Sequence, residues 1–193
     1  MKWYEYKFVI EDNIGRVINK LKRFDFMSHK YFYIIKRPFL YLRVYSHTNI
    51  LNIQYNKIYE PECFQFGGEE GFEVISNYFK IAAEDIISNN RIMNINYYLS
   101  ILKSIFRNIP KEIILKSLKI LHELRKSDKI ETINLKEITI FLYDDLYYEL
   151  LNINLLFEIY KILPYVIIFI FNIYDISLVE QQMLVCKMLE ETK

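Results

Sequence analysis

A chain of 193 residues that is 52% hydrophobic and 17% aromatic carries ample material for a core, which excludes disorder over any long stretch. Its 25 basic residues balance 24 acidic ones, so no net field draws it to nucleic acid or to an anionic membrane. With 4 glycines and 4 prolines, one domain over residues 1–193 is expected, built of regular elements joined by few turns.

Residues Trp3 to Ile10 are aromatic and β-branched with alternating character and predict a strand. Asp12 and Asn13 supply a helix cap, after which Ile14, Val17, Ile18, Leu21 and Phe24 recur at helical spacing. Lys20, Lys22 and Arg23 read as the solvated face of that helix. Two strands are predicted at Lys30 to Lys36 and Phe39 to Ser46, with Pro38 between them, where a missing ladder donor does least harm. Ile50 to Tyr59 is a further strand candidate.

From Glu69 the apolar period lengthens from two to about 3.6 residues. Phe72, Ile75, Phe79, Ala82, Ala83, Ile86 and Ile87 make one face of a helix bounded by Gly67–Gly68 and Asn89–Asn90. A second helix is read over Ile95 to Phe106, and a third from Pro110 to about Lys126. Leu135 to Leu150 is read as helix, although Thr139 to Tyr143 also suits a strand. Asn154 to Ile173 is expected to be a buried helix, bent or started at Pro164, since its apolar run falls short of the about 20 residues that span a bilayer. Ser177 and Glu180 form a capping box for a last helix to about Glu190. The class is α+β: an N-terminal mixed sheet with a covering helix, then a mainly helical part.

Common catalytic machinery is missing from the residues. Gly67–Gly68 has no phosphate-loop context, no Gly-x-Ser-x-Gly elbow occurs, and His29, His47 and His122 lack zinc spacing and read as surface or capping residues. Cys63 and Cys186 read as buried thiols rather than a disulfide. Met1 leads into Trp3, Tyr4 and Glu5 with no secretory pattern, so a cytoplasmic setting is expected.

The informative run is Tyr59 to Phe79, Y-E-P-E-C-F-Q-F-G-G-E-E-G-F-E-V-I-S-N-Y-F. Pro61 restrains its own backbone and that of Glu60, so two carboxylates flank a stiff point before a double-glycine turn into a helix. By its residues alone this reads as an acidic loop before an ordinary helix.

The run resembles the Y-E-P-E-x-x-R-Y-G-G segment of the thiopeptide-type bacteriocin biosynthesis domain, which also forms the C-terminal, glutamate-eliminating part of lantibiotic dehydratases. Tyr59, Glu60, Pro61, Glu62, Gly67 and Gly68 match, while Gln65 and Phe66 replace Arg and Tyr. Arg37 to Val44, R-P-F-L-Y-L-R-V, resembles that family's P-H-L-R-L-R strand: Pro38 and Arg43 match, and Phe39 and Tyr41 stand for His and the first Arg. Leu163 to Asp175 resembles its H-M-x-x-N-R helix with Asn172 kept, but Ile168 and Ile173 at the His and Arg positions. The resemblance covers most of the chain, with a shortened segment between Arg43 and Tyr59.

The resemblance implies work on a ribosomally synthesised, post-translationally modified peptide, with that precursor and a larger glutamylating dehydratase as partners and no direct contact with nucleic acid. Oligomeric assembly is left open. Family members eliminate glutamate from glutamylated Ser or Thr, or join dehydroalanines into a ring, with no metal or organic cofactor. It further implies Arg43 as the catalytic anion clamp assisted by Arg37, with Tyr59, Glu60, Glu62, Gly67 and Gly68 binding substrate. Elimination needs a base for the Cα proton and cations for the enolate and leaving carboxylate, and each lost electrostatic contact costs about 2.7–4 kcal/mol of barrier. With Tyr41, Gln65, Ile168 and Ile173 at the expected polar positions, three readings stand open. They are a diverged homologue that binds precursor or partner, an active lyase with His47 or His122 as base, and an unrelated binding module. Arg43 could instead be a strand residue paired with Glu60 or Glu62, and the tyrosines from Tyr31 to Tyr45 either a peptide-contact surface or core.

Overall fold

The computed structural model describes residues 1–11, 13–53, 55–89, 94–126, 135–136, 138–153 and 158–192. Its chain order is β1 (Lys2–Val9), α1 (Ile14–Leu21), β2 (Lys30–Lys36), β3 (Phe39–Ser46), β4 (Asn56–Tyr59) and a 3-10 turn (Cys63–Phe66). There follow α2 (Gly68–Asn89), α3 (Ile95–Phe106), α4 (Lys111–Leu124), α5 (Leu146–Asn152), α6 (Ile159–Ile173) and α7 (Leu178–Thr192). This is an α+β fold, with the sheet at the N-terminus and most helices after it.

The sheet has the order β2-β3-β1-β4 and every pairing in it is antiparallel, where a mixed sheet was expected. The reason is the tight hairpin at Arg37–Pro38, which folds β3 into the gap between β1 and β2. β1 and β2 are thereby parallel to each other without touching, and β1–α1–β2 is a split βαβ unit.

Register sorts the side chains into two faces, because residues directly opposite share a face. One face carries Tyr6, Leu42 and Tyr33 in one row and Phe8, Leu40 and Ile35 in the next, all buried. Phe24 and Phe26, from the turn after α1, pack on Phe8 at 6.2 Å and Tyr31 at 4.8 Å. Asn13 caps α1 by accepting from the Gly15 N–H, while Asp12 lies outside the described residues. Lys20, Lys22 and Arg23 are exposed, as a solvated face requires.

The opposite face carries Trp3, Glu5 and Lys7 of β1, with Tyr45, Arg43 and Tyr41 of β3 alongside. Phe72 and Phe79 of α2 cover one end of it, reaching Trp3 at 5.8 Å and Phe32 at 5.4 Å. The other end is open. Burying an aromatic side chain is worth about 1.5–3 kcal/mol, so this half-covered face is anchored firmly at its α2 end.

Three expectations about local structure are corrected. Among the described residues of Ile50 to Tyr59, the strand is Asn56–Tyr59, because the Ile50 N–H bonds the Tyr6 hydroxyl at 3.1 Å and Asn49 accepts from the same hydroxyl at 2.8 Å. The side chain of a core tyrosine thus takes backbone bonding that a ladder would have used. Among the described residues, the helix read over Leu135 to Leu150 is Leu146–Asn152. Upstream of it, Asn96 Oδ1, Ser100 Oγ and Ser104 Oγ of α3 accept from the backbone N–H groups of Lys136, Ile138 and Tyr143. Arg107 and Asn108 donate to the Ile140 and Asp144 carbonyls. A polar stripe on α3 therefore satisfies this segment in an irregular form. Last, α6 begins at Ile159 and runs through Pro164 rather than starting there, with residues 154–157 outside the described set.

The capping box is present: Ser177 Oγ accepts from the Glu180 N–H at 3.3 Å, and Glu180 Oε2 accepts from the Ser177 N–H at 3.0 Å. Gly67 and Gly68 adopt φ of 83° and 92°, the left-handed region that turns the chain from the 3-10 turn into α2. Nothing lies within 4 Å of a Cβ built at Gly68, so Gly68→Ala should cost about 1–2 kcal/mol through backbone strain alone. Urea unfolding measures this, and an unchanged midpoint would mean that the turn has relaxed. Among the described residues, no helix is long and apolar enough to cross a membrane.

Candidate functional site

The open end of the second face is a hollow of about 400 Å³. Ile34 and Lys36 of β2, Tyr41 and Arg43 of β3, Glu5 of β1, and Lys57 to Tyr59 of β4 border it, and Glu60 and Glu62 close its rim. The sheet order explains the assembly: β3 and β1 are central strands, so their side chains form the floor, while β4 at the edge hands the chain directly to the acidic elbow.

Cross-strand register places Lys57, Glu5, Arg43 and Phe32 in one row across all four strands. Arg43 Nε donates to Glu5 Oε2 at 2.9 Å, with the two side chains only 8% and 6% exposed. Lys57 Nζ, on a side chain 70% exposed, approaches Glu5 Oε1 at 3.2 Å. The Arg43 guanidinium also lies 3.7 Å from the Tyr59 ring centre, and its Nη1 is buried without a hydrogen-bond partner. Burial pushes the Tyr59 phenol above its ordinary pKa, with Arg43 pulling the other way.

Of the residues singled out from sequence, Arg43, Tyr59, Glu60 and Glu62 meet at the hollow. The ion-pair partner of Arg43 is Glu5, not Glu60 or Glu62: a directly opposite carboxylate on the neighbouring strand meets the guanidinium within the sheet, and the elbow stays at the rim. Glu62 instead accepts from the Gln65 amide at 2.5 Å. Arg37 does not join the site. It sits at the hairpin tip and ion-pairs with Asp175 in the turn between α6 and α7. Gly67 and Gly68 shape the elbow without bordering the hollow.

Some of the positions where the resemblance expects polar groups serve the core, while Gln65 bonds Glu62 beside the elbow. Phe66 is fully buried against Phe72, Phe79 and Phe169, and Ile168 and Ile173 are buried in α6. Tyr31 and Tyr33 are core residues, whereas Tyr41 borders the hollow and Tyr45 is half-buried beside Trp3. His47 and His122 do not border the hollow; His122 lies in the last turn of α4, 3.4 Å from Gln182. Cys63 and Cys186 are free and half-buried, and burial raises the Cys63 thiol pKa, which disfavours a nucleophilic thiolate.

Glu5 was the residue that sequence reading missed. Its one signal is a carboxylate between Tyr4 and Tyr6 in an otherwise aromatic strand, at a position sharing a face with Trp3. The arrangement can present both signs of charge to a ligand, with Tyr41 and Ile34 offering apolar contact between them. No family model matches the chain, and no curated protein matches it.

Proposed function

We propose that this chain is a diverged homologue of the glutamate-elimination domain, acting in the biosynthesis of a ribosomally made modified peptide by binding the precursor or a partner modification enzyme. The observation that carries the reading is the convergence of Arg43 with Tyr59, Glu60 and Glu62 on one open hollow, although Arg43 and the elbow are separate segments of the chain. Binding is favoured over catalysis on two grounds. Glu5 already compensates the Arg43 charge, which weakens it as a clamp for a leaving carboxylate. Among the described residues, no histidine borders the hollow to take a Cα proton. A cytoplasmic setting, in which the two free thiols stay reduced, fits such a role.

The test pairs two measurements on the purified chain. The expected result is binding of the precursor peptide, or co-elution with a glutamylating dehydratase encoded beside it, with no glutamate released from a glutamylated precursor. Glutamate release that is lost in Glu5→Leu/Arg43→Met would replace this reading with an active lyase. Blank results in both assays would remove the kinship.

A further inference from the structure

We infer that the outer edge of β4 takes up an extended segment of the precursor peptide as a fifth, antiparallel strand, with an apolar residue opposite Ile58 and an acidic residue after it, opposite Lys57. The inference rests on the peptide-binding reading above and adds where the peptide lies and which side chains it carries.

The sheet leaves one edge accessible. β2 at one end has five of its seven residues buried and packs against α2 and α6. β4 at the other end has Asn56, Lys57 and Ile58 exposed and Tyr59 half-buried, and among the described residues no strand lies beyond it. Ladder alternation fixes which of its backbone groups face outward. The Lys7 N–H donates to the Tyr55 carbonyl at 3.1 Å, so in the same register Lys57 and Tyr59 turn their N–H and C=O groups toward β1. Asn56 and Ile58 turn theirs outward, and among the described residues no turn, loop or cap bonds the backbone of Ile58. Such an edge is a template for one more strand.

The side chains set the chemistry of the occupant. Ile58 lies on the face of Tyr4 and Val44 and is 53% exposed, so an apolar residue directly opposite covers surface that the chain alone leaves in water. The next residue of an antiparallel occupant stands opposite Lys57, in a non-hydrogen-bonded pair with Cα atoms about 4.5 Å apart. The row it joins holds Lys57, Glu5, Arg43 and Phe32, two cations against one carboxylate. Lys57 Nζ approaches Glu5 at 3.2 Å on its inner side, and an ammonium has three donors, so it can serve a second carboxylate on its outer side. An acidic residue there balances the row, whereas a lysine adds a third cation. Pro61 has no N–H to continue the ladder past the elbow, so the paired segment is short.

The experiment uses the full, isotope-labelled chain and three end-capped hexapeptides. The first reads threonine-serine-isoleucine-glutamate-threonine-serine, and the second has lysine in place of glutamate. The third carries N-methylisoleucine, which has no N–H to donate to the Ile58 carbonyl. Amide NMR titration to millimolar peptide reads affinity and site, and hydrogen exchange at saturation reads the Ile58 amide. The first peptide should bind and protect that amide, the lysine peptide should bind about fivefold more weakly, and the N-methyl peptide about tenfold more weakly. In Lys57→Glu, an exposed position, preference should pass to the lysine peptide. Binding that N-methylation does not weaken, or that leaves the Ile58 amide unprotected, overturns strand addition. Equal affinity for the glutamate and lysine peptides, or a preference that Lys57→Glu does not reverse, overturns the inference as well. Analytical ultracentrifugation of the chain alone tests the other occupant: a dimer dissociated by Ile58→Lys would seat a second copy on the edge and overturn it. Binding of none of the peptides also overturns it, and the precursor and dehydratase assays then judge the proposed function independently.

Discussion

Glu5→Gln should destabilise the chain by about 3–5 kcal/mol, because it leaves the Arg43 guanidinium buried with its charge uncompensated. The cost comes from stranding the partner, not from the intrinsic worth of the pair. Two ions taken out of water lose hydration that their mutual attraction only roughly offsets. Glu5→Leu/Arg43→Met, which removes both charges at similar volume, is therefore expected to recover most of the loss. Lys57→Ala should change stability by less than about 1 kcal/mol, since its side chain is 70% exposed and its attraction to Glu5 is screened by water. Urea unfolding followed by circular dichroism separates the three. A loss under about 1 kcal/mol for Glu5→Gln would mean that water reaches the pair and that the floor of the hollow is not closed.

Phe66→Ala carries the second large expected effect, about 3–5 kcal/mol. Its ring is fully buried, with centroids of Phe72, Phe79 and Phe169 at 5.6, 5.7 and 5.1 Å, so truncation empties a site walled by three other rings. The same ring pins the elbow between Pro61 and Gly67, and the placing of Glu60 and Glu62 beside the hollow depends on that anchor. Phe64 offers an internal control two residues away. It is 68% exposed, and Phe64→Ala should stay within about 0.5 kcal/mol of the parent. Equal losses from the two substitutions, measured by denaturant unfolding, would show that the elbow is not held by Phe66.

Much of the fold could be read from local pattern. The strands Lys30–Lys36 and Phe39–Ser46 and the helix Ile95–Phe106 fall where periodicity placed them, and the Ser177–Glu180 capping box does what its spacing suggests. In each case the information lies within a few neighbouring residues, because a side-chain period or a cap is set by local backbone geometry. The errors have a common origin. Ile50 and Tyr143 donate their backbone N–H groups to the side-chain oxygens of Tyr6 and Ser104, residues 44 and 39 positions distant. No window along the chain contains both partners.

The candidate site divides in the same way. The stiff, acidic, doubly glycyl elbow was visible in the sequence, because Pro and Gly state their backbone demands directly. Which carboxylate meets Arg43 was not visible: Glu5, Glu60 and Glu62 are alike as sequence, and cross-strand register alone selects Glu5. The sequence by itself determined the class of the fold, the position of most elements and the chemical character of the elbow, since those follow from short-range sterics and the burial of apolar periods. The tertiary structure decided the antiparallel order of the sheet, the pairing of Glu5 with Arg43, the exclusion of Arg37 and the meeting of Arg43 with the elbow at one hollow, because each depends on which distant segments are brought within a few ångströms of one another.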